Sequence, residues 1–447
     1  MKTLPRAFVL YLSLLFFLMV LPTSAADGPL ATIQSGQVRG KTSADGKVNI
    51  FLGIPFAAPP VGPLRWKEPQ PVTPWTTVRD ATNFGARCMQ SDVFKGVVFR
   101  DSGMSEDCLY LNVWAPAAKD SAKLPVMVWL YGGSFFAGSG SEARYDGEPL
   151  AHRGVIIVTL NYRLGIFGFF ATQELAAESA HHSAGNYGYL DQSAAIRWVH
   201  DNIAAFGGDP ANITIFGESA GSFSVNAQMT SPLTRQFIAK AIGESGGGNG
   251  RSVIPCPDLA TAEKRDEKYA KNNLHADNLA ALRAISADEL TKKTAPKLFS
   301  SAWWFIPVID GYFRPETVDS TWAAGKQAQI PVVAGTNLDE PFVSVSKLGN
   351  FNVNALNFAL FQRFGLHAGE AQKLFHASND QEAIRAGDDM NGMEFVGFTA
   401  WAWLESQANT PIRLSATSSI SPLRLTRSIL LLLTRFIPTN SNMSSAL

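Results

Sequence analysis

One stretch constrains the fold more than any other. Ile213-Thr-Ile-Phe216 is a short β-branched and aromatic run, the mark of a buried strand. It leads directly into Gly217-Glu218-Ser219-Ala220-Gly221, and Phe223 to Met229 continues as a helix. The five-residue turn fits G-x-S-x-G. A serine at so tight a strand-to-helix turn has strained backbone, and its neighbours must lack bulk. The turn leaves the hydroxyl exposed at the carboxyl end of a sheet. The next residue's N–H and a helix N-terminus then face any oxyanion formed there. This pattern predicts Ser219 as a nucleophile.

The rest of the chain is consistent with a large open sheet. Apolar residues make up 46% of the 447, with ample Gly and Pro for loops, so one sizeable core is expected. Leu124 to Leu130, Val155 to Leu160, Ile238 to Gly243 and Ile330 to Gly335 read as buried strands, and Leu109 to Trp114 as an alternating one. Residues 30–60 read as hairpin material. Helical periodicity covers Ser193 to Phe206, Leu259 to Leu274 and Asp277 to Ala284. Alternating strands and helices imply a mostly parallel sheet flanked by helices. Ligands gather beyond the carboxyl ends of such strands.

Formal net charge is zero and no basic cluster interleaves with aromatics, which argues against a nucleic-acid partner. Lys2 and Arg6 precede the apolar run Phe8 to Leu21, and Pro22-Thr-Ser-Ala25-Ala26 offers small residues for cleavage. Residues 1–25 therefore read as a signal peptide, whose apolar run falls short of the roughly 20 residues of a membrane span. The expectation is a secreted or periplasmic protein. An oxidising compartment would let Cys88 and Cys108 pair, closing a loop worth about 3 kcal/mol. Cys256 is left over. No Cys/His cluster has metal-ligand spacing.

Catalysis by Ser219 requires a base to take its proton and an acid to orient that base. Tyr131-Gly132-Gly133 follows a predicted strand. There Gly132 and Gly133, with the N–H of Ala220, would form an oxyanion hole. Glu340 is chosen as the acid because it lies just past a buried strand and follows Ser219 in the chain; adjacent Asp339 is the runner-up. No metal or cofactor is expected.

These residues sit within a longer series: Phe51-Leu-Gly-Ile-Pro-Phe-Ala57, Pro63-Leu-Arg-Trp66 and Ser105-Glu-Asp-Cys-Leu-Tyr-Leu-Asn112. Asn161-Tyr-Arg-Leu-Gly165, Gly185-Asn-Tyr-Gly-Tyr-Leu-Asp-Gln192 and Phe206-Gly-Gly-Asp-Pro-Ala-Asn212 continue it. From Gly36 to Ser406 the chain closely resembles the type-B carboxylesterases, the family of cholinesterases and p-nitrobenzyl esterases. The resemblance implies an α/β-hydrolase fold, Ser219 as nucleophile, Glu340 as triad acid, Gly132, Gly133 and Ala220 as the oxyanion hole, and a Cys88–Cys108 disulfide. It further implies a small-molecule ester substrate. Tyr131 stands where many members carry histidine. Trp303-Trp-Phe305 and Phe395 to Trp403 are candidates for an acyl pocket, or equally for core.

The family pattern then breaks. Its triad histidine follows the acid in a late loop, but this chain has no histidine after His376. His367, 27 residues past Glu340, imitates that loop only superficially, and His181, His182 and His200 read as surface or packing residues. From Gln407 to Leu447 there is no Asp, Glu or Gly. The domain is therefore read as 27–406, its C-terminal part truncated or replaced by a non-family tail, 407–447, that resembles a wrong reading frame. Residues 423–436 are alternatively a basic amphipathic membrane helix. The expected activity is carboxylic-ester hydrolysis, impaired by the missing histidine. The alternative is a catalytically silent, cholinesterase-like binding domain.

Overall fold

The computed structural model describes residues 28–117, 123–248, 255–296, 305–337, 339–340, 344–408 and 414–418. Residues 1–27, Trp303-Trp304 and most of 407–447 lie outside the described residues. A sheet of nine strands organises the chain. They are β1 (Lys41–Thr42), β2 (Val48–Pro55), β3 (Tyr110–Pro116), β4 (Leu124–Leu130), β5 (Ile156–Leu160), β6 (Gly208–Glu218), β7 (Lys240–Glu244), β8 (Val332–Thr336) and β9 (Leu414–Ser418). Their order across the sheet is β9-β8-β7-β6-β4-β5-β3-β2-β1. From β9 to β5 all neighbours are parallel, and β3, β2 and β1 are added antiparallel at one side. Leu30–Ile33, Gly36–Arg39 and Arg79–Asp80 form a small separate sheet.

Parallel strands covered on both faces need apolar residues in both directions. All five residues of β5 are buried, as are Val126, Val128, Trp129 and Leu130 of β4. The order matters for the site. From β4 the chain passes to β5 on one side, and β6 then returns to β4's other side. Gly132 and Gly133 leave β4 at this reversal, and Ser219 leaves β6 beside it. Crevices at such reversals are where open α/β sheets place ligands.

Helices α1 (Glu148–Ala151), α2 (Tyr187–Asn202) and α3 (Ala220–Thr230) pack along the sheet. Every residue of α3 is buried. Helix α2 starts at Tyr187, earlier than periodicity from Ser193 indicates. Its first turns are buried on all sides, so they show no polar face to count. Likewise β6 extends back to Gly208, which pairs with Leu124 before a register shift at Ile213. The expected hairpin material at 30–60 includes the antiparallel pair Leu30–Ile33 with Gly36–Arg39.

Helices α4 (Val353–Phe364), α5 (Ala368–Leu374) and α6 (Asp380–Gly392) gather around their own core of Leu356, Leu360, Phe364, Phe375 and Met390. Helix α7 (Phe398–Ala408) follows and returns to the sheet, with its buried Trp403 against Gly243 of β7. Phe305, Phe398 and Trp403 are all fully buried, so these rings of the two aromatic stretches belong to the core. Strand β9, in the stretch where composition departs from the family, runs parallel to β8 from Val332↔Leu414 to Thr336↔Ser418. No helix among the described residues is long and apolar enough to cross a membrane.

Candidate active site

The serine turn has the strained geometry expected of it. Ser219 has φ 54° and ψ −123°, a positive φ that an L-residue adopts only at a cost of about 1–3 kcal/mol. It is held there on both sides. Its N–H donates to Glu244 O at 2.9 Å, and its carbonyl accepts from Phe223 N at 3.0 Å, the first turn of α3. Two glycines make the turn possible. A Cβ on Gly217 would lie 2.5 Å from Leu130 O, and one on Gly221 only 1.9 Å from the same oxygen. The elbow is thus pressed against the end of β4, with no room for a side chain.

The loop after β4 wraps around the serine. A Cβ on Gly132 would come within 3.1 Å of Ser219 Cβ and 2.8 Å of Glu218 Oε2. Gly133, Ser134 and Phe135 all have positive φ, and Gly133 O accepts from Phe136 N and Ala137 N, so the loop turns tightly. Among the described residues, nothing accepts from the N–H groups of Gly132, Gly133 or Ala220. Three unclaimed donors thus lie on the serine turn and on the loop that approaches it, the kind of group that can bind a developing oxyanion. The Tyr131 side chain plays no part in this. It is buried, stacked on Tyr162 at 4.3 Å, and its hydroxyl donates to Tyr162 O at 3.2 Å.

The predicted disulfide forms between Cys88 and Cys108, and its loop braces the oxyanion loop. Gln90, buried inside it, donates to Gly138 O and accepts from Gly138 N, both at 2.9 Å. Asp101 accepts from Ser141 Oγ and is paired with Arg87 at 2.5 Å. Cys256 is a free thiol whose sulfur lies 2.7 Å from Arg314 Nη1.

Glu340 and its neighbour Asp339 diverge. Glu340 Oε1 accepts from Ser245 Oγ, from Asn337 N at 3.0 Å and from Asn337 Nδ2 at 2.9 Å. Its backbone lies against Gly392 of α6, where a Cβ would sit 3.1 Å away. Asp339 instead faces Asp389 of α6, whose carboxyl is pushed up first by burial and then by that charge. All three bonds to Glu340 use one oxygen. Among the described residues nothing donates to Oε2, which remains open for an N–H.

Two further residues belong to the site. Ser245, buried at φ 54° just after β7, anchors Glu340; a serine following a strand's carboxyl end was the available signal. Glu218, the variable residue before the nucleophile, is the other. Burial, then the negative charge of Glu340, raises its pKa from 4.5 to about 7. Glu244 at the end of β7 is pushed up by burial alone.

No histidine among the described residues bonds to Ser219 or Glu340. His367 lies on the exposed turn between α4 and α5 and faces Glu370 at 3.4 Å. His181 stacks on Tyr312 and contacts Glu68, while His200 contacts Asp201. The structure thus places Gly132 beside Ser219 and the charge of Glu340 beside neighbouring Glu218, and among the described residues no histidine joins them.

A mostly parallel sheet with a strained serine elbow and a glycine loop at its reversal defines an α/β-hydrolase. The carboxylesterase family model matches residues 27–386, and the chain belongs to that family. It is similar to fumonisin B1 esterase of Sphingopyxis macrogoltabida, 39% identical over 383 residues, 83% of this chain and 68% of that protein. It is also similar to para-nitrobenzyl esterase of Bacillus subtilis, 41% identical over 70% of this chain and 63% of that protein. Carboxylesterase 5A of Canis lupus familiaris is 42% identical over 71% of this chain, and the match spans 56% of its length.

Proposed function

We propose that this chain is a serine carboxylic-ester hydrolase acting on small-molecule esters through an acyl-enzyme. The observation that supports the reading is the strained Ser219 on a strand-to-helix turn, with Gly132 of the neighbouring loop packed against it. Ser219 Oγ attacks the ester carbonyl, and the oxygen that gains charge settles among the N–H groups of Gly132, Gly133 and Ala220. The C–O bond to the alcohol then breaks, the proton lost by Ser219 reaching the departing oxygen through solvent water, and a second water hydrolyses the acyl-enzyme, returning a proton to Ser219 and releasing the acid. Glu340 is the orienting acid, its Oε2 open to the N–H of an imidazole. Family membership and the names of the similar esterases support this reading. We also infer export, from the leader at residues 1–25 and the Cys88–Cys108 disulfide. We retain 27–406 as the hydrolase domain and 407–447 as a tail outside its pattern.

Without an imidazole at Ser219, turnover falls to what the oxyanion hole and binding provide, about 10³–10⁴-fold over water. The test is hydrolysis of p-nitrophenyl butyrate by this chain beside Ser219→Ala, each with and without added imidazole. The expected result is slow hydrolysis that Ser219→Ala abolishes, with free imidazole accelerating only the unmutated protein. Equal rates for the two proteins throughout would overturn the assignment of Ser219. Turnover at ordinary esterase rates of about 1–10³ s⁻¹ would show that another residue supplies the base, with His367 the first to replace.

A further inference from the structure

We propose that Asp45, Glu148 and His152 form a surface binding site for a divalent transition-metal ion, apart from the ester-hydrolysis centre. The three residues come from two elements. Asp45 occupies the turn between β1 and β2, Glu148 opens α1, and His152 caps it one helical turn later. The backbone bond from His152 N to Glu148 O, 3.1 Å, fixes the i,i+4 register that puts both side chains on one face. His152 Nε2 lies 3.7 Å from Asp45 Oδ2 and 3.7 Å from Glu148 Oε1. One ligand atom from each residue falls within 4.8 Å of the other two. An ion with bonds of about 2.0–2.2 Å fits among them after a small contraction.

Charge also indicates a cation. Among the described residues, neither Asp45 nor Glu148 forms an ion pair with a lysine or arginine, so the imidazole faces two carboxylates. Asp45 is prepared for the role. Its Oδ1 accepts from Ser43 Oγ at 2.7 Å and Lys47 N at 3.1 Å, which fixes the carboxylate and leaves Oδ2 toward His152. Those bonds hold Asp45 below its usual pKa, helped by smaller contributions from His152 and Lys47. All three side chains are a third or more exposed, so water can complete the coordination shell. One imidazole with two carboxylates suits Zn²⁺, Co²⁺ or Ni²⁺ better than Ca²⁺ or Mg²⁺, which take oxygen ligands. The ion would clamp the β1–β2 turn to α1, segments about a hundred residues apart.

The test is isothermal titration of the tag-free protein with ZnCl₂ at pH 7.5 in a non-chelating buffer. It is repeated on Asp45→Asn, Glu148→Gln, His152→Ala and the bulkier His152→Gln, each first shown to keep the parent circular dichroism spectrum. The expected result is one Zn²⁺ per chain with Kd below about 100 µM, weakened at least tenfold in every variant. Zn²⁺ at 100-fold excess over Kd should raise Tm by roughly 2–4 °C in the parent protein and leave His152→Ala unchanged. Absence of saturable binding below 100 µM, or a variant that binds within tenfold of the parent, overturns the proposal. Neither readout involves Ser219, so the outcome is independent of whether the chain hydrolyses esters.

Discussion

Glu218 offers the sharpest physical test of the site. Burial and the nearby charge of Glu340 raise its pKa from 4.5 to about 7. At ~1.4 kcal/mol per pH unit, that rise makes the ionised form about 3 kcal/mol less favourable in the folded protein. Glu218 is only partly buried, and solvent screening reduces this to about 1–2 kcal/mol. The sign follows from linkage. Below pH 4.5 the group is protonated in both states and costs nothing. Between pH 4.5 and 7 the folded state holds a proton that the unfolded state releases, so stability falls as pH rises, and above pH 7 the full penalty is present. Glu218→Gln removes the charge while keeping the shape. Its stability relative to the parent should therefore grow by about 1–2 kcal/mol between pH 4.5 and pH 8.5. Urea unfolding of both proteins at these two pH values measures the difference and cancels the titrating groups that do not interact with Glu218. An equal difference at both pH values, or a variant less stable than the parent at pH 8.5, would refute the account of Glu218.

Other changes follow from the same geometry. Gly221→Ala forces a Cβ to 1.9 Å from Leu130 O, a backbone atom that cannot swing aside. It should cost about 3 kcal/mol or more by urea midpoint, whereas Gly369→Ala, in open space on α5, should be neutral or stabilising by up to about 1 kcal/mol. Asp191→Asn leaves Arg163, bound to it at 2.7 and 2.8 Å, as a buried charge without its counter-ion. A loss of about 3–5 kcal/mol is expected in the same assay. Cys108→Ala opens the loop that braces Gly138, and should lower stability by about 3 kcal/mol with no change on adding reductant.

The central strands were legible because parallel strands buried on both faces are continuous apolar runs; β4, β5 and β8 stand out for that reason. Their boundaries were less so. Strand β7 begins at Lys240, not Ile238, since pairing with β6 starts opposite Thr214. In the candidate site, Ser219, Gly132, Gly133 and Glu340 stood out from local pattern, as each lies just after a strand. Ser245 could not, because its importance comes from a partner 95 residues away. Glu218 was visible as a letter but not as a buried charge, since its pKa depends on Glu340 and Arg144 reaching the same place. The cluster of Asp45, Glu148 and His152 was hidden for the same reason: spacing along a chain says nothing of two elements that meet only when the sheet forms.

The bond from Ser245 to Glu340 also sets an order in time. Ribosomes add about 5–20 residues per second, so the 95 residues between these partners take roughly 5–20 s to emerge. During that interval β4, β5, β6 and β7 have left the ribosome, and Gly217 and Gly221 can already close against Leu130. Ser245 then has its place at the end of β7 but not its carboxylate. Synthesis therefore delivers Ser219 and the glycine loop against it as one early unit. Glu340 arrives later, just past β8, as a guest to a pocket whose opposite wall is complete.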